Sequence, residues 1–502
     1  MSTPRPLGTV NRREFLRISA TAGGAMVITV TLCRPAGSAG RRGGRAAELN
    51  AFVRIDPDDT ITIVVAKSEM GQGVRTSLPR LVAEELDADW SKVRIEQAVY
   101  HASKYGGMGT GGSGSVRTSW DRLRRAGASV RAMLIAAAAQ SWGVPEGECR
   151  TEASLVIHDA TGRRARYGTL AEQAALLPIP SSVRLKPRGE WRLLGKDARG
   201  VDVADIVRGT ARYGIDVKVP GMLYASVERT AVFGGKVRSF DPSATLRVPG
   251  VKQVVEIPAI ANGINVHAGI AVVAENTWAA LQGRRKLSVE WDPGLRGAES
   301  SESYAAAMKA ALERPGAERV NHIGSPDTML NDRNGVITAV FEMPFLAHAT
   351  MEPMNCTAHV RPGAIEIWSP TQHPNWATPA VASTLKVDPA TITMHVTLLG
   401  GGYGRRINPD FTVEAGALTE TRWACPGRLD PRGRSAARLL PALLDASHRC
   451  PARRRRVPCG LAAPDQLTHD RRDLWSETRA RLGSRRVRWG GKHAVSDSPP
   501  IL

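Results

Sequence analysis

Three glycine-rich stretches hold the residues whose types and spacing suit chemistry: Glu69-Met70-Gly71-Gln72-Gly73, the run 109–115 (GTGGSGS) and the run 400–406 (GGGYGRR). Where no Cβ intrudes, consecutive backbone N–H groups can turn toward one anion, most effectively where the loop opens into a helix. In the first stretch Gln72 adds an amide that donates and accepts at once. In the second, Thr110, Ser113 and Ser115 place hydroxyls around Gly111 and Gly112. Two such loops in one segment suit a ligand with more than one phosphate. Neither spells the Walker pattern G-x-x-x-x-G-K-[ST] or a strand-following G-x-G-x-x-G. His348 and Glu352, four residues apart, would share a helix face as a metal pair. Pro344 and Pro353 stand beside them and no H-E-x-x-H is present, so no metal site is expected there.

The elements that must position these loops follow from periodicity. Ile61, Ile63 and Val65 alternate as on a strand that breaks at Gly71, and 76–86 reads as the helix that follows. A second, Ala-rich helix spans 120–140. Over 201–292 the strands GMLYASVER, VKQVVEIP and GIAVVAENT, a helical WAALQGRRK and a final strand LSVEWD form an α+β module. Loops at 293–303 and 324–327 bound it. A strand at 394–399 leads into the third glycine loop, with Gln372 upstream. The expected organisation is a leader and linker (1–45), a first glycine-loop segment (46–185), the module (195–300), a second glycine-loop segment (325–419) and a basic tail (420–502).

The net charge of +20 is unevenly placed. Residues 420–502 carry 18 Lys+Arg against 8 Asp+Glu, a net of +10, so half the excess sits in the last stretch. The rest is only mildly basic, and no nucleic-acid partner is expected of it. Cys33, Cys149 and Cys356 are scattered, Cys425, Cys450 and Cys459 lie in the tail, and no C-x-x-C occurs. That spacing argues against a zinc site or a chain-borne iron–sulfur cluster. At the start, Arg12-Arg13 followed by Phe15-Leu16 and a mildly apolar 18–32 resembles a twin-arginine export signal. It implies a periplasmic protein exported already folded, with membrane association left open.

Taken in order, EMGQG, GTGGSGS, GTARYGIDVKVPGMLYA, HATMEPMNCTA, PTQHP and GGGYGRR resemble the molybdenum hydroxylases of the xanthine dehydrogenase and aldehyde oxidase family. The glutamine loop precedes the α+β module, which is similar to the arrangement in isoquinoline 1-oxidoreductase β subunits and membrane-associated aldehyde dehydrogenases. The resemblance covers 50–419. It implies a hammerhead-like α+β module flanked by parts of the molybdopterin-binding domains. Gly71, Gln72 and Gly73 match a loop that contacts the molybdopterin; Thr110, Gly111, Gly112, Ser113 and Ser115 match the loop that holds its phosphate end. Gly401, Gly402, Tyr403 and Gly404 match the loop beside the metal, with Tyr in place of the usual Phe. His348 and Glu352 match a segment near the active site. Leu346 stands where many relatives have a glutamine.

The family further implies molybdenum on a molybdopterin, in its cytosine dinucleotide form, and hydroxylation of an electron-poor carbon in an N-heterocycle or aldehyde with a buried glutamate as base. Electrons would leave through a separate small subunit with two 2Fe–2S centres, and onward to an acceptor such as a cytochrome c. The family's G-x-G-E segment, which carries that glutamate, does not occur in this sequence.

The tail differs in language from what precedes it. Relatives continue after a DFTVEA-like run with a signature such as W-T-R-E-D-D-L-R-H-D-F-Y. A permitted back-translation of 427–441, read one base later, spells V-D-W-T-R-E-D-D-L-R-H-D-F-Y. The tail therefore reads as translation in another frame, beginning between Ala415 and Gly427. It is expected to be disordered or only locally helical, as at SAARLLPALLDAS. The reading from a different class is a non-catalytic protein whose basic tail binds nucleic acid or acidic lipid. Salt-sensitive binding lost on deleting 420–502 separates the two.

Overall fold

The computed structural model describes residues 47–424, except 261–265, 315, 317–322, 332–334 and 362, together with the strand at 435–441. Residues 1–46, which hold the stretch read as an export leader, and the remainder of the basic tail lie outside the described residues.

The first layer grows from an apolar strand. β3 (Ile61–Val65) is buried along its whole length and pairs antiparallel with β2 (Val53–Ile55), which pairs with β1 (Ala47–Asn50); on its other side it runs parallel to β4 (Val93–Gln97). A parallel neighbour needs a crossover, and helix α1 (Val74–Leu86) supplies it. The long helix α2 (Ser115–Trp142) lies beside α1, and Leu78, Leu81, Leu86, Leu123, Val130 and Leu134 fill the space between them and the sheet. Sequence placed the start of α2 at 120. It begins at Ser115, so the second glycine loop runs directly into it and supplies its N-cap, Gly114. A small sheet of β5 (Cys149–Glu152), β6 (Leu155–His158) and β7 (Arg163–Arg166) and helix α3 (Tyr167–Leu176) complete this part.

The connection leaving that layer is pinned by acids buried in α1. Glu84 accepts from the N–H groups of Arg192 (3.0 Å), Leu193 (2.6 Å) and Leu194 (3.0 Å), while Glu85 accepts from Lys186 N–H and from Arg124. The Arg124 guanidinium lies 5.5 Å from the rings of both Trp120 and Trp191. The 185–195 junction is therefore strapped to the helices.

The next strands form where expected: β8 (Leu223–Arg229), β10 (Val251–Ile257) and β11 (Gly269–Ala274), with β9 (Lys236–Asp241) and β12 (Ser288–Asp292) as a separate pair and helix α4 (Thr277–Arg285) on β8 and β11. They do not close into a module of their own. β13 (Cys356–Arg361), β14 (Ala364–Ser369), β15 (Ile392–Val396) and β16 (Ser435–Pro441) continue the same sheet, in the order β10-β11-β8-β16-β13-β14-β15. The 195–300 and 325–419 segments thus share one seven-stranded sheet. Helix α5 (Ser301–Leu312), whose first turn falls within the loop expected at 293–303, opens with Ser300 accepting from Ser303 N–H (3.1 Å). Helices α6 (Pro374–Leu385) and α7 (Asp410–Ala424) cover the sheet, with Phe411 and Val413 of α7 in one core with Ala358, Ile365, Ile367 and Met394. Sheets and helices in this mixed order make the α+β class read from the sequence.

One expectation is corrected. The stretch SAARLLP, read as locally helical, is strand β16 (Ser435–Pro441), antiparallel to β13 and parallel to β8. Its local preference yields to the edges on either side of it.

A buried ion pair ties α7 to this sheet. Arg229, on β8, donates from Nε to Glu414 Oε1 (3.0 Å) and from Nη2 to Glu414 Oε2, with the Glu414 side chain 1% exposed. Burial raises the Glu414 carboxyl above its ordinary value even against the Arg229 charge. Arg229→Met, which strands that carboxylate, is expected to cost about 3–5 kcal/mol, and Arg229→Met with Glu414→Gln markedly less. Urea unfolding of the single and double variants checks this; equal losses would remove the pair as a source of stability.

Candidate cofactor site

The three glycine loops come together where the two layers meet. Leu399 N–H donates to Glu69 O (3.0 Å) and Tyr100 N–H to Met394 O (2.9 Å), so the ends of β3 and β15 lie side by side. Gln372, which precedes α6, is the side chain that joins the loops. Its Nε2 donates to Thr110 O (3.0 Å), and its Oε1 accepts from Gly404 N–H (3.1 Å). Its backbone adds two more bonds, accepting from Thr110 N–H (2.8 Å) and donating to Arg406 O (3.0 Å). The packing leaves no room at Gly402, where a Cβ would lie 2.4 Å from Met70 Sδ and 2.7 Å from Gln372 Oε1.

Each loop has a distinct state. In the first, Gly71 and Gly73 take positive φ (103° and 83°) and their N–H groups converge as expected, but the anion they meet is the chain's own. Glu69 Oε1 accepts from Gly71 (2.8 Å) and Gly73 (2.9 Å), and Oε2 from Arg75 N–H (2.9 Å) at the start of α1. Gln72 folds onto the same loop, accepting from Met70 N–H (2.7 Å) and donating to Ser68 O (2.9 Å), with the residue exposed. The expectation of an external anion at this helix start is therefore corrected: an internal carboxylate fills it.

The second loop is anchored from below and open above. Lys67, buried, donates to Gly107 O and Gly109 O (2.8 Å each). Burial, and then the neighbouring Arg122 charge, lower its amine below the ordinary lysine value. The Thr110 hydroxyl accepts from Ser68 N–H (3.0 Å), which makes it a support for the loop. Gly111, Gly112 and Ser113 are exposed, with φ of 56° at Gly112 and 53° at Ser113. Their N–H groups bond to no acceptor among the described residues, and the α2 N-cap has neither a side-chain cap nor an acid in its first turn. Of the two helix starts, only this one is open to an incoming anion.

The third loop is fixed by a residue whose role was not legible from spacing. Arg406 is fully buried; its Nε donates to Gly401 O (2.8 Å) and its Nη2 to Glu352 O (2.7 Å) and Glu352 Oε2 (3.1 Å). Glu352 Oε2 also accepts from Gly400 N–H (2.8 Å), and Oε1 from Ile215 N–H (2.9 Å) and Asn355 Nδ2 (2.8 Å). With two donors on each oxygen, Glu352 is a structural anchor. His348, in a stretch that is neither helix nor strand, is exposed and does not pair with it. Tyr403 takes a positive φ of 52° and is 70% exposed, and Gly404 is exposed beside it.

This geometry fits a phosphate-bearing group at Gly111 to Ser113: free N–H groups, exposed backbone and an uncapped 28-residue helix behind them. Two models of the molybdopterin cofactor-binding domain match the chain, at residues 11–216 and 312–422, and between them hold all three loops. The chain belongs to the molybdenum hydroxylase family. Within it, the β subunit of isoquinoline 1-oxidoreductase from Brevundimonas diminuta is 33% identical over 421 residues, covering 74% of this chain and 52% of that one. The membrane-bound aldehyde dehydrogenase (pyrroloquinoline-quinone) of Gluconacetobacter polyoxogenes is 31% identical over 454 residues, covering 85% and 56%. The chain thus spans about half the length of the curated relatives it matches. A solved quinoline 2-oxidoreductase from Pseudomonas putida 86 aligns over 48% of this chain and 33% of its own, at 19% identity and a TM-score of 0.35.

Two expectations follow. Glu69→Ala frees three N–H groups at the start of α1 and is expected to cost ~2–3 kcal/mol; faster amide exchange at Gly71, Gly73 and Arg75 checks the cause. The second concerns His373 and His395, each held below the ordinary imidazole value by burial first of all. The unfolded chain binds protons at these rings before the folded one does. Their contribution is therefore complete above the ordinary imidazole value and is lost as pH falls through the lowered, folded-state values. Tm should drop on going from about pH 7 to 5, less steeply in the His373→Phe and His395→Phe double variant.

Proposed function

We propose that this chain is an inactive form of the large, molybdopterin-binding subunit of an oxidoreductase whose in-frame product hydroxylates N-heterocycles or oxidises aldehydes. The observation that carries the reading is the convergence of three glycine loops around one uncapped helix start. The bound cofactor would supply a two-electron metal centre for the oxidation. The chain's own part is to hold it: Gly111, Gly112 and Ser113 N–H groups at its phosphates, in a cytosine dinucleotide form by family, with Gln72 and the 401–404 loop at its edge. Glu352 does not serve as base, because its four donors occupy both oxygens. The general base, which typically contributes about 10²–10⁴-fold, comes in this reading from polypeptide outside these 502 residues. The exposed run Ile337, Phe341, Met343, Phe345 and Leu346, each at least 77% exposed, supports a further layer of polypeptide packed on this stretch. Electrons would pass to a small 2Fe–2S subunit and then to an acceptor such as a cytochrome c, in the periplasm.

The test is metal analysis after co-expression with a 2Fe–2S small subunit. The 502-residue chain is expected to hold little molybdenum and to leave isoquinoline and aldehydes unoxidised, while a product read through in the restored frame near 415–427 gains both. Stoichiometric molybdenum in the 502-residue form would overturn this. Arg12→Lys with Arg13→Lys should leave the product in the cytoplasm; unchanged periplasmic recovery would dismiss the export reading.

A further inference from the structure

The interior between β3, α1 and α2 carries positive charge that the chain does not answer. Lys67, just past β3, is buried and spends two of its three N–H groups on Gly107 O and Gly109 O (2.8 Å each); the third has no acceptor among the described residues. Arg122, on α2, gives Nη1 to Tyr105 O (2.7 Å), but its buried Nε–H meets no acceptor. The Phe52 ring, 5.3 Å from Arg122 Cζ, covers the guanidinium in part. Neither cation pairs with an acid among the described residues; the ion pairs of α2 run instead from Arg124 and Arg131 to Glu85 and Asp87. Burial lowers the basicity of both groups, the Arg122 charge adds to this at Lys67, and no carboxylate works the other way at either. The two side chains line one cavity of about 10 Å³, together with Ser119 and the apolar Ile63, Leu78 and Leu123. That is room for one particle of about the size of water, and far too little for phosphate or sulfate.

We propose that this cavity binds a single monatomic anion of halide size, chloride in an ordinary medium, which accepts from Arg122 Nε–H and balances the charges of Lys67 and Arg122. A water molecule would satisfy Nε but leave both positive charges buried without a counter-ion. A halide does both, and being weakly hydrated it loses little on entering a lining that is mostly aliphatic. The Ser119 hydroxyl, the remaining polar side chain of the lining, supplies an O–H donor. The phosphate seat at Gly111–Ser113 is built otherwise, from exposed backbone, so the inference is independent of what the glycine loops bind.

The probe is bromide, offered to the full chain as its sodium salt. In crystals it should give an anomalous peak inside this cavity, in contact with Arg122 Nε. An ordered water there, or bromide on surface arginines only, would overturn the proposal. In solution the bromide NMR line should broaden when the chain is added, and chloride but not inorganic phosphate should reverse the broadening. Arg122→Met should weaken bromide about tenfold, the worth of one hydrogen bond to a charged group. Arg125→Met, at an exposed position of the same helix, should leave it unchanged. Equal broadening in all three chains, or reversal by phosphate, would refute the site. Because Arg122→Met also removes the bond to Tyr105 O and can loosen the fold, the unaltered chain gives a second reading. Its Tm should be higher in sodium chloride than in sodium gluconate of the same ionic strength; an equal or lower Tm would dismiss the anion.

Discussion

The buried pair of Arg406 and Glu352 is the interaction on which the geometry of the three loops rests. Burial of the guanidinium works against its charge, and the bonds that the pair makes to the surrounding backbone offset that cost. Arg406 reaches Gly401 O, and Glu352 reaches the N–H groups of Gly400 and Ile215. The pair thereby fixes both ends of the third loop against the turn at Gly214–Asp216. Gln372 then transfers that placement to the second loop through Thr110, and Met70 against Gly402 transfers it to the first. None of the loops has a fixed position without the other two.

The same device recurs. Glu69, Glu84 and Glu352 are enclosed carboxylates, each accepting from at least two backbone N–H groups of irregular chain. A carboxylate that accepts several N–H bonds orders an irregular stretch far more sharply than apolar contact can, because the bonds are directional and costly to leave unmade. This explains how glycine loops, which lose the most freedom on folding, are held without strands or helices of their own.

Much of this was readable from residue order. Ile61, Ile63 and Val65 announced β3, and the apolar runs around Leu223, Val251 and Gly269 announced β8, β10 and β11, because burial on a strand imposes a period that survives in the sequence. The three loops were visible through glycine alone. What was hidden is pairing at long range: nothing near Glu69 distinguishes an acid that fills its own loop from one that faces solvent, and nothing near Arg406 names Glu352, 54 positions away. Helix α5 and strand β16 were missed for opposite reasons. The first is set by a local cap at Ser300 that the Ser-rich run disguised as a loop; the second is imposed by its neighbours against its own propensity.

The contrast between the two glycine-to-helix junctions carries the functional argument. Both present N–H groups at a helix start, and by composition they were equivalent. In the first, an acid two residues before Gly71 closes the seat; in the second, the equivalent stretch Gly107-Met108-Gly109 has no acid, and a buried lysine turns its carbonyls inward. Lys67 and Arg122 thus leave positive charge behind the open junction, where an arriving phosphate meets no carboxylate to displace. Selectivity for an external anion follows from where the chain has placed its own.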